Sequence, residues 1–219
     1  MQAGYAGSQK PPTSSVLVVD DDGSVRSSVC LLLRSLGYDA KGFSEPGPLF
    51  AETMPEHPCC IILDVRIREH SGLDVQTRLR DAGVEIPVVF LSGYGDIAMT
   101  ASVMKRGAVT FLVKPYRAQD LIDAVNEAIQ RDVERRTALS RGHDLRTRYE
   151  SLTGREKETM LHLAKGLTNN EVAALLGISG ATVKIYRAEA TRKMGARSFA
   201  GLVRMAEALG MVTCEALSA

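Results

Sequence analysis

Between residues 16 and 113 the chain alternates five short strand-like runs with helical patterns, and the first and third runs lead directly into aspartate. The runs cover 16–19, 38–43, 60–63, 88–91 and 109–113. Helical spacing of apolar residues fills 25–36, 48–54, 73–80, 97–105 and 118–139 between and after them. The runs 16–19, 60–63 and 88–91 are apolar at every position, as strands covered on both faces are. Strand and helix alternating in this way predict a doubly wound α/β domain with a five-stranded parallel sheet.

Sites in such sheets form beyond the carboxyl ends of the strands. Here the first strand runs into Asp20, Asp21 and Asp22, the third into Asp64, the fourth into Ser92, and the fifth into Lys114 and Pro115. Carboxylates brought together repel unless one keeps a proton or a cation sits among them. Oxygen donors with no neighbouring His or Cys suit Mg²⁺. A carboxylate can attack phosphorus, a cation and a lysine can neutralise the phosphoryl oxygens, and a serine hydroxyl can donate to one of them. Asp22 reads differently, as the N-cap of the helix that follows.

After Gly142 the strand signals stop. Helical patterns at 155–165, 169–176, 180–194 and 199–209 are each followed by glycine, and Thr153 with Glu156 has the spacing of a capping box. The rear of the chain is therefore expected to be an all-α four-helix domain. Its second and third helices, separated by Gly177, Ile178 and Ser179, have the shape of a helix-turn-helix. Charge is divided in the same sense: residues 1–116 hold 11 basic and 13 acidic side chains, and residues 151–219 hold 9 and 6. Residues 179–197 carry five basic side chains against Glu189 alone, which favours a polyanion as the partner of that helix.

The strings VLVVDDD, ILDVR, SGL, FLSGYGD and FLVKP resemble the receiver domain of two-component response regulators. The resemblance implies that Asp64 accepts a phosphoryl group from a sensor histidine kinase. It implies that Asp21, Asp64 and the backbone carbonyl of Arg66 bind Mg²⁺, with Asp20 acting through water. Ser92 and Phe111 match the family's switch positions, and Lys114 its phosphate-pairing lysine. Arg68 departs from the proline common there.

The string LTGREKETMLHLAKGLTNNEVAALLGISGATVKIYRAEATRKMGARS resembles the LuxR-type DNA-binding domain, so the whole chain is similar to NarL/FixJ regulators, most of all the FixJ branch. By that likeness Thr182, Lys184, Ile185 and Arg187 face the major groove or its phosphates, with Asn169, Asn170 and Lys193 near the DNA backbone. Tyr186 stands where His is common, and Ala188 is too short to hydrogen-bond a base.

The expected organisation is a disordered leader at 1–15, a receiver at 16–127, a linker helix and hinge at 128–150 breaking at Gly142, and the DNA-binding domain at 151–219. The implied function is a phosphorylation-activated transcriptional regulator that works as an activator, dimerises when phosphorylated, and meets duplex promoter DNA and RNA polymerase in the cytoplasm. No enzymatic activity is expected beyond self-phosphorylation from small donors and slow self-dephosphorylation. An aspartyl-phosphate phosphatase would need a second acid two residues after Asp64, where Arg66 stands. A receiver whose helical domain binds only protein is the other alternative. No apolar run approaches the ~20 residues of a membrane helix. Cys30, Cys59, Cys60 and Cys214 lack metal-site spacing and are read as reduced and structural.

Overall fold

The structure is a computed structural model that describes residues 14–93 and 110–212. The expected leader up to residue 13, the helix at 97–105, Tyr94, Val109 and Cys214 lie outside the described residues. The chain folds as two compact units, 1–136 and 137–219.

In the first unit, strands β1 (Ser15–Val19), β2 (Asp39–Phe43), β3 (Cys59–Asp64), β6 (Val88–Ser92) and β7 (Thr110–Val113) form one sheet. Its order is β2-β1-β3-β6-β7, and every pairing is parallel. The strands' two-residue period sends Leu17, Val19, Ile61, Leu63 and Phe90 into a core shared with helices α2 (Pro46–Ala51) and α3 (Gly72–Asp81). Val16, Val18, Cys60, Ile62, Val89 and Leu91 enter a second core, with helix α1 (Gly23–Ser35) and the front of helix α4 (Ala118–Glu150). Cys30, Cys59 and Cys60 are free thiols buried in these cores. Helix α2 starts two residues earlier than its pattern suggests, because Pro46 is pre-set for the first turn, and it ends before Pro55.

Two elements between Asp64 and α3 were not expected: strands β4 (Arg66–Ile67) and β5 (His70–Ser71), paired antiparallel. Ile67 pairs with His70, leaving Arg68 and Glu69 as a two-residue turn, and Arg68 has φ 52°. A positive φ at the first turn residue alone is the type II′ pattern, whose usual occupant is glycine. Proline cannot adopt that angle, so the departure at residue 68 reshapes this loop. Arg68→Gly is expected to stabilise the protein by about 0.5–1 kcal/mol, the left-handed penalty less glycine's entropy. Arg68→Pro should lower the thermal midpoint, and a higher midpoint for the proline variant would contradict the turn assignment.

Helix α4 runs unbroken through Gly142 to Glu150, so the helix does not break at Gly142 as its glycine suggested. One interior glycine costs about 1 kcal/mol, which the arginines and leucines around it and the absence of proline offset. Asp132, a charged residue in the middle of α4, is fully buried against the amino end of β3. It accepts from Cys59 N at 2.9 Å, from Arg135 at 2.7 Å and from Arg136 at 2.6 Å. Arg136 also donates to the carbonyls of Pro55 and Glu56.

The second unit holds the end of α4 and helices α5 (Gly154–Ala164), α6 (Asn169–Leu176), α7 (Gly180–Met194) and α8 (Phe199–Ala208). Val183, Ala190 and Met194 of α7 are buried against Met160, Val172 and Leu202. The Thr153–Glu156 capping box forms, and Thr168 with Glu171 makes a second one. Among the described residues no helix is long and apolar enough to cross a membrane.

Candidate functional site

The carboxyl end of the sheet brings Asp20, Asp64 and Lys114 into direct contact. Lys114 Nζ donates to Asp20 Oδ2 at 2.7 Å and to Asp64 Oδ2 at 2.6 Å. The remaining oxygens are held by backbone amides: Asp22 N donates to Asp20 Oδ1 at 2.9 Å, and Arg66 N to Asp64 Oδ1 at 3.0 Å. Asp20 is fully buried, Asp64 is 8% exposed and Asp21 is exposed. Burial pushes the Asp20 carboxyl above its ordinary value, against the pull of Lys114. Burial lowers the Lys114 ammonium, but hydrogen bonds and charge from Asp20 and Asp64 outweigh that and raise it. A lysine held charged between two carboxylates is poised to transfer its pairing to an arriving anion.

Asp20, Asp21 and Asp64 each offer a carboxylate oxygen within 4.8 Å of the others. Oxygens around Mg²⁺ at about 2.1 Å lie up to about 4.2 Å apart, so this hard, acidic set fits the ion after a small closure. Ser92, fully buried, ends β6, and Lys114 N donates to its carbonyl at 2.6 Å. Phe111 pairs with Phe90 across the sheet and is half-buried against the α3-side core. Asp22 caps α1 through Ser24 N and Val25 N, as its position suggested.

Two residues that build this site carried no functional reading in the sequence. Arg26 donates to the Asp20 carbonyl at 2.6 Å and so fixes the backbone of the acidic loop. Its stem packs on Gly42, where an added Cβ would meet Arg26 Cγ at 3.0 Å, so an unexplained glycine in a strand was the available signal. Gly72, in the SGL string, allows the start of α3 to approach Asp64: a Cβ there would lie 2.3 Å from the Asp64 carbonyl oxygen.

In the second unit Asn169, Asn170 and Lys184 meet at a cleft of 490 Å³ lined also by Thr168, Gly180 and Ala181. The amino ends of α6 and α7 meet there, and helix amino ends with a lysine suit phosphate. Lys184 and Ile185 are exposed, and Thr182 shares a hydrogen bond with Ser179 at 2.8 Å. Arg187 is half-buried, its guanidinium 5.7 Å from the Phe199 ring centre. Lys193 differs from expectation. Its ammonium donates to both oxygens of the buried Glu156, at 2.9 and 2.8 Å, and so ties the end of α7 to the start of α5. Burial alone would raise the Glu156 carboxyl, but Lys193 and Thr153 hold it below the usual range.

Residues 16–126 match the family described as response regulator receiver domain, and residues 150–206 match bacterial regulatory proteins, luxR family. Nodulation protein W of Bradyrhizobium diazoefficiens is 44% identical over 209 residues, covering 95% of this chain and 92% of that protein. Transcriptional regulatory protein FixJ of Azorhizobium caulinodans is 34% identical, covering 94% and 97%. Among solved structures, the response regulator StyR superimposes with a TM-score of 0.78 at 39% identity, covering 89% of this chain and 98% of that one.

Proposed function

The chain belongs to the response regulators that join a receiver to a LuxR-type DNA-binding domain, and it is a DNA-binding transcriptional regulator; from that premise we propose that its state is set at Asp64. A sensor histidine kinase presents phosphohistidine. Asp64 attacks the phosphorus in line, the P–N bond breaks, and the departing imidazole nitrogen takes a proton. The observation that carries this reading is the Lys114 ammonium shared between Asp20 and Asp64. On phosphorylation the Asp64 carboxylate loses its own charge, and Lys114 turns to a phosphoryl oxygen. Asp21, Asp64 and the Arg66 carbonyl, with Asp20 through water, would hold Mg²⁺, which would supply positive charge against the phosphoryl oxygens. The Ser92 hydroxyl moves to another phosphoryl oxygen, and Phe111 follows it inward. Acetyl phosphate serves as a donor in the same way, and self-dephosphorylation is slow because a bulky residue, Arg66, stands two positions beyond Asp64.

The phosphorylated chain dimerises, binds duplex promoter DNA and activates transcription through RNA polymerase, in the cytoplasm. Asn169, Asn170, Thr182, Lys184, Ile185 and Arg187 form the DNA face. Lys193 is left out because Glu156 holds it. Sedimentation and duplex binding with and without acetyl phosphate and Mg²⁺ test the reading: a dimer with tighter, salt-sensitive binding is expected only with both. Equal affinity in the two states would contradict control at Asp64. Lys184→Ala should weaken binding to all duplexes alike and reduce the salt slope by about 0.9, the share of one phosphate contact. An unchanged slope would remove Lys184 from the backbone contacts.

A further inference from the structure

Helix α7 turns outward a row whose first three side chains have no capacity to hydrogen-bond a base. At about 100° per residue, Ala181, Ile185, Ala188 and Arg192 fall within about 60° of one another, opposite the buried Val183, Ala190 and Met194. All four are exposed, Ile185 at 61%. Lys184 lies on one shoulder of the row, and Arg192 at its far end is paired with Glu189 at 2.7 Å. Thr182 lies away from the row and is engaged with Ser179.

Guanine, adenine and cytosine are distinguished in the major groove by long polar side chains: Arg or Lys, Asn or Gln, and Asp or Glu. The middle of this row contains none. The groove feature read by apolar contact is the C5 methyl group of thymine. We propose that α7 selects its sites by thymine methyl groups, which pack against Ile185, with Ala181 and Ala188 short enough to let the helix lie close to the base edges. The proposal rests on the DNA-binding reading above and adds the base class. Ile185 contributes nothing to the core of its own domain, so its exposure is free to serve a partner.

The test uses the full chain with acetyl phosphate and Mg²⁺. Duplexes are selected from a random pool, and each thymine of the best one is replaced in turn by deoxyuridine, which keeps every hydrogen-bonding group and removes only the methyl. Affinity is expected to fall about fourfold at each contacted position, the effect of one methyl-sized group leaving an apolar contact. Ile185→Ala should bind the thymine duplex less tightly and no longer distinguish uracil at its position, while Ile185→Val retains part of the difference. An unchanged melting temperature for Ile185→Ala is expected, because the side chain is exposed. Indifference of the native chain to uracil at every position overturns the proposal, as does a uracil penalty undiminished in Ile185→Ala. Absence of any salt-sensitive duplex binding overturns the DNA-binding reading itself, and is told apart from these outcomes by the first selection round.

Discussion

Gly72→Ala is expected to reduce phosphoryl uptake from acetyl phosphate by about a hundredfold, approaching the loss expected of Asp64→Asn. The new Cβ would lie 2.3 Å from the carbonyl oxygen of Asp64 and 3.2 Å from Val65 Cα, all backbone that cannot swing aside. Relief to ordinary contact requires a shift of about 1 Å between the start of α3 and the end of β3, and a misplacement of that size costs about 10²-fold in a reaction that depends on in-line geometry. Gly72 N also donates to Val65 O at 2.9 Å, so α3 cannot retreat without losing that bond. Gly47→Ala is the control: nothing lies within 4 Å of its added Cβ, and uptake should be unchanged. Radiolabel from acetyl phosphate measures both. Native uptake in Gly72→Ala would show that the loop yields without moving Asp64.

That close approach illustrates where the sequence stopped being legible. The five strands were readable because β1, β3 and β6 are apolar at consecutive positions, and the acidic cluster because each strand's end falls where the apolar run ends. Both are local signals. Gly72 was visible only as a letter in a motif, since the carbonyl it accommodates is eight residues earlier in the chain. The β4–β5 hairpin escaped notice because its turn carries arginine where the usual signal is glycine. The helix through Gly142 was misread for the opposite reason: a glycine with no positive φ and nothing near it ends no helix, although the glycines after α5, α6, α7 and α8 do. Lys193 is placed near the DNA backbone by likeness to the LuxR-type domain, and the acid that pairs with it is 37 positions away. Long-range partners are what periodicity does not encode.

Asp132 is the largest case of a long-range partner. Spaced along α4 it reads as a polar interruption, yet it holds three donors at the amino end of the strand whose other end is Asp64. Asp132→Ala is expected to destabilise the receiver by about 3 kcal/mol, the lower end of the range for removing one partner of a buried ion pair. The lower end applies because Arg135 and Arg136 remain about a quarter exposed, so water takes over part of their solvation. In native buffer the buried Cys59 and Cys60 should then react with a thiol reagent about a hundredfold faster, if opening of the receiver limits their access. The effect also has a pH signature. Burial alone would raise the Asp132 carboxyl, but bonds from Arg136, Cys59 N and Arg135 outweigh it and hold it below the ordinary value. A group lowered on folding contributes stability that is fully present above its unfolded pKa of about 3.9 and is lost as pH falls through the folded value. The urea midpoints of native and Asp132→Ala protein, followed by far-ultraviolet circular dichroism, should therefore differ most at neutral pH and draw together below about pH 4. A difference that stays constant down to pH 2, or thiols as protected in the variant as in the native chain, would mean that packing of α4, and not this carboxylate, fastens it to β3.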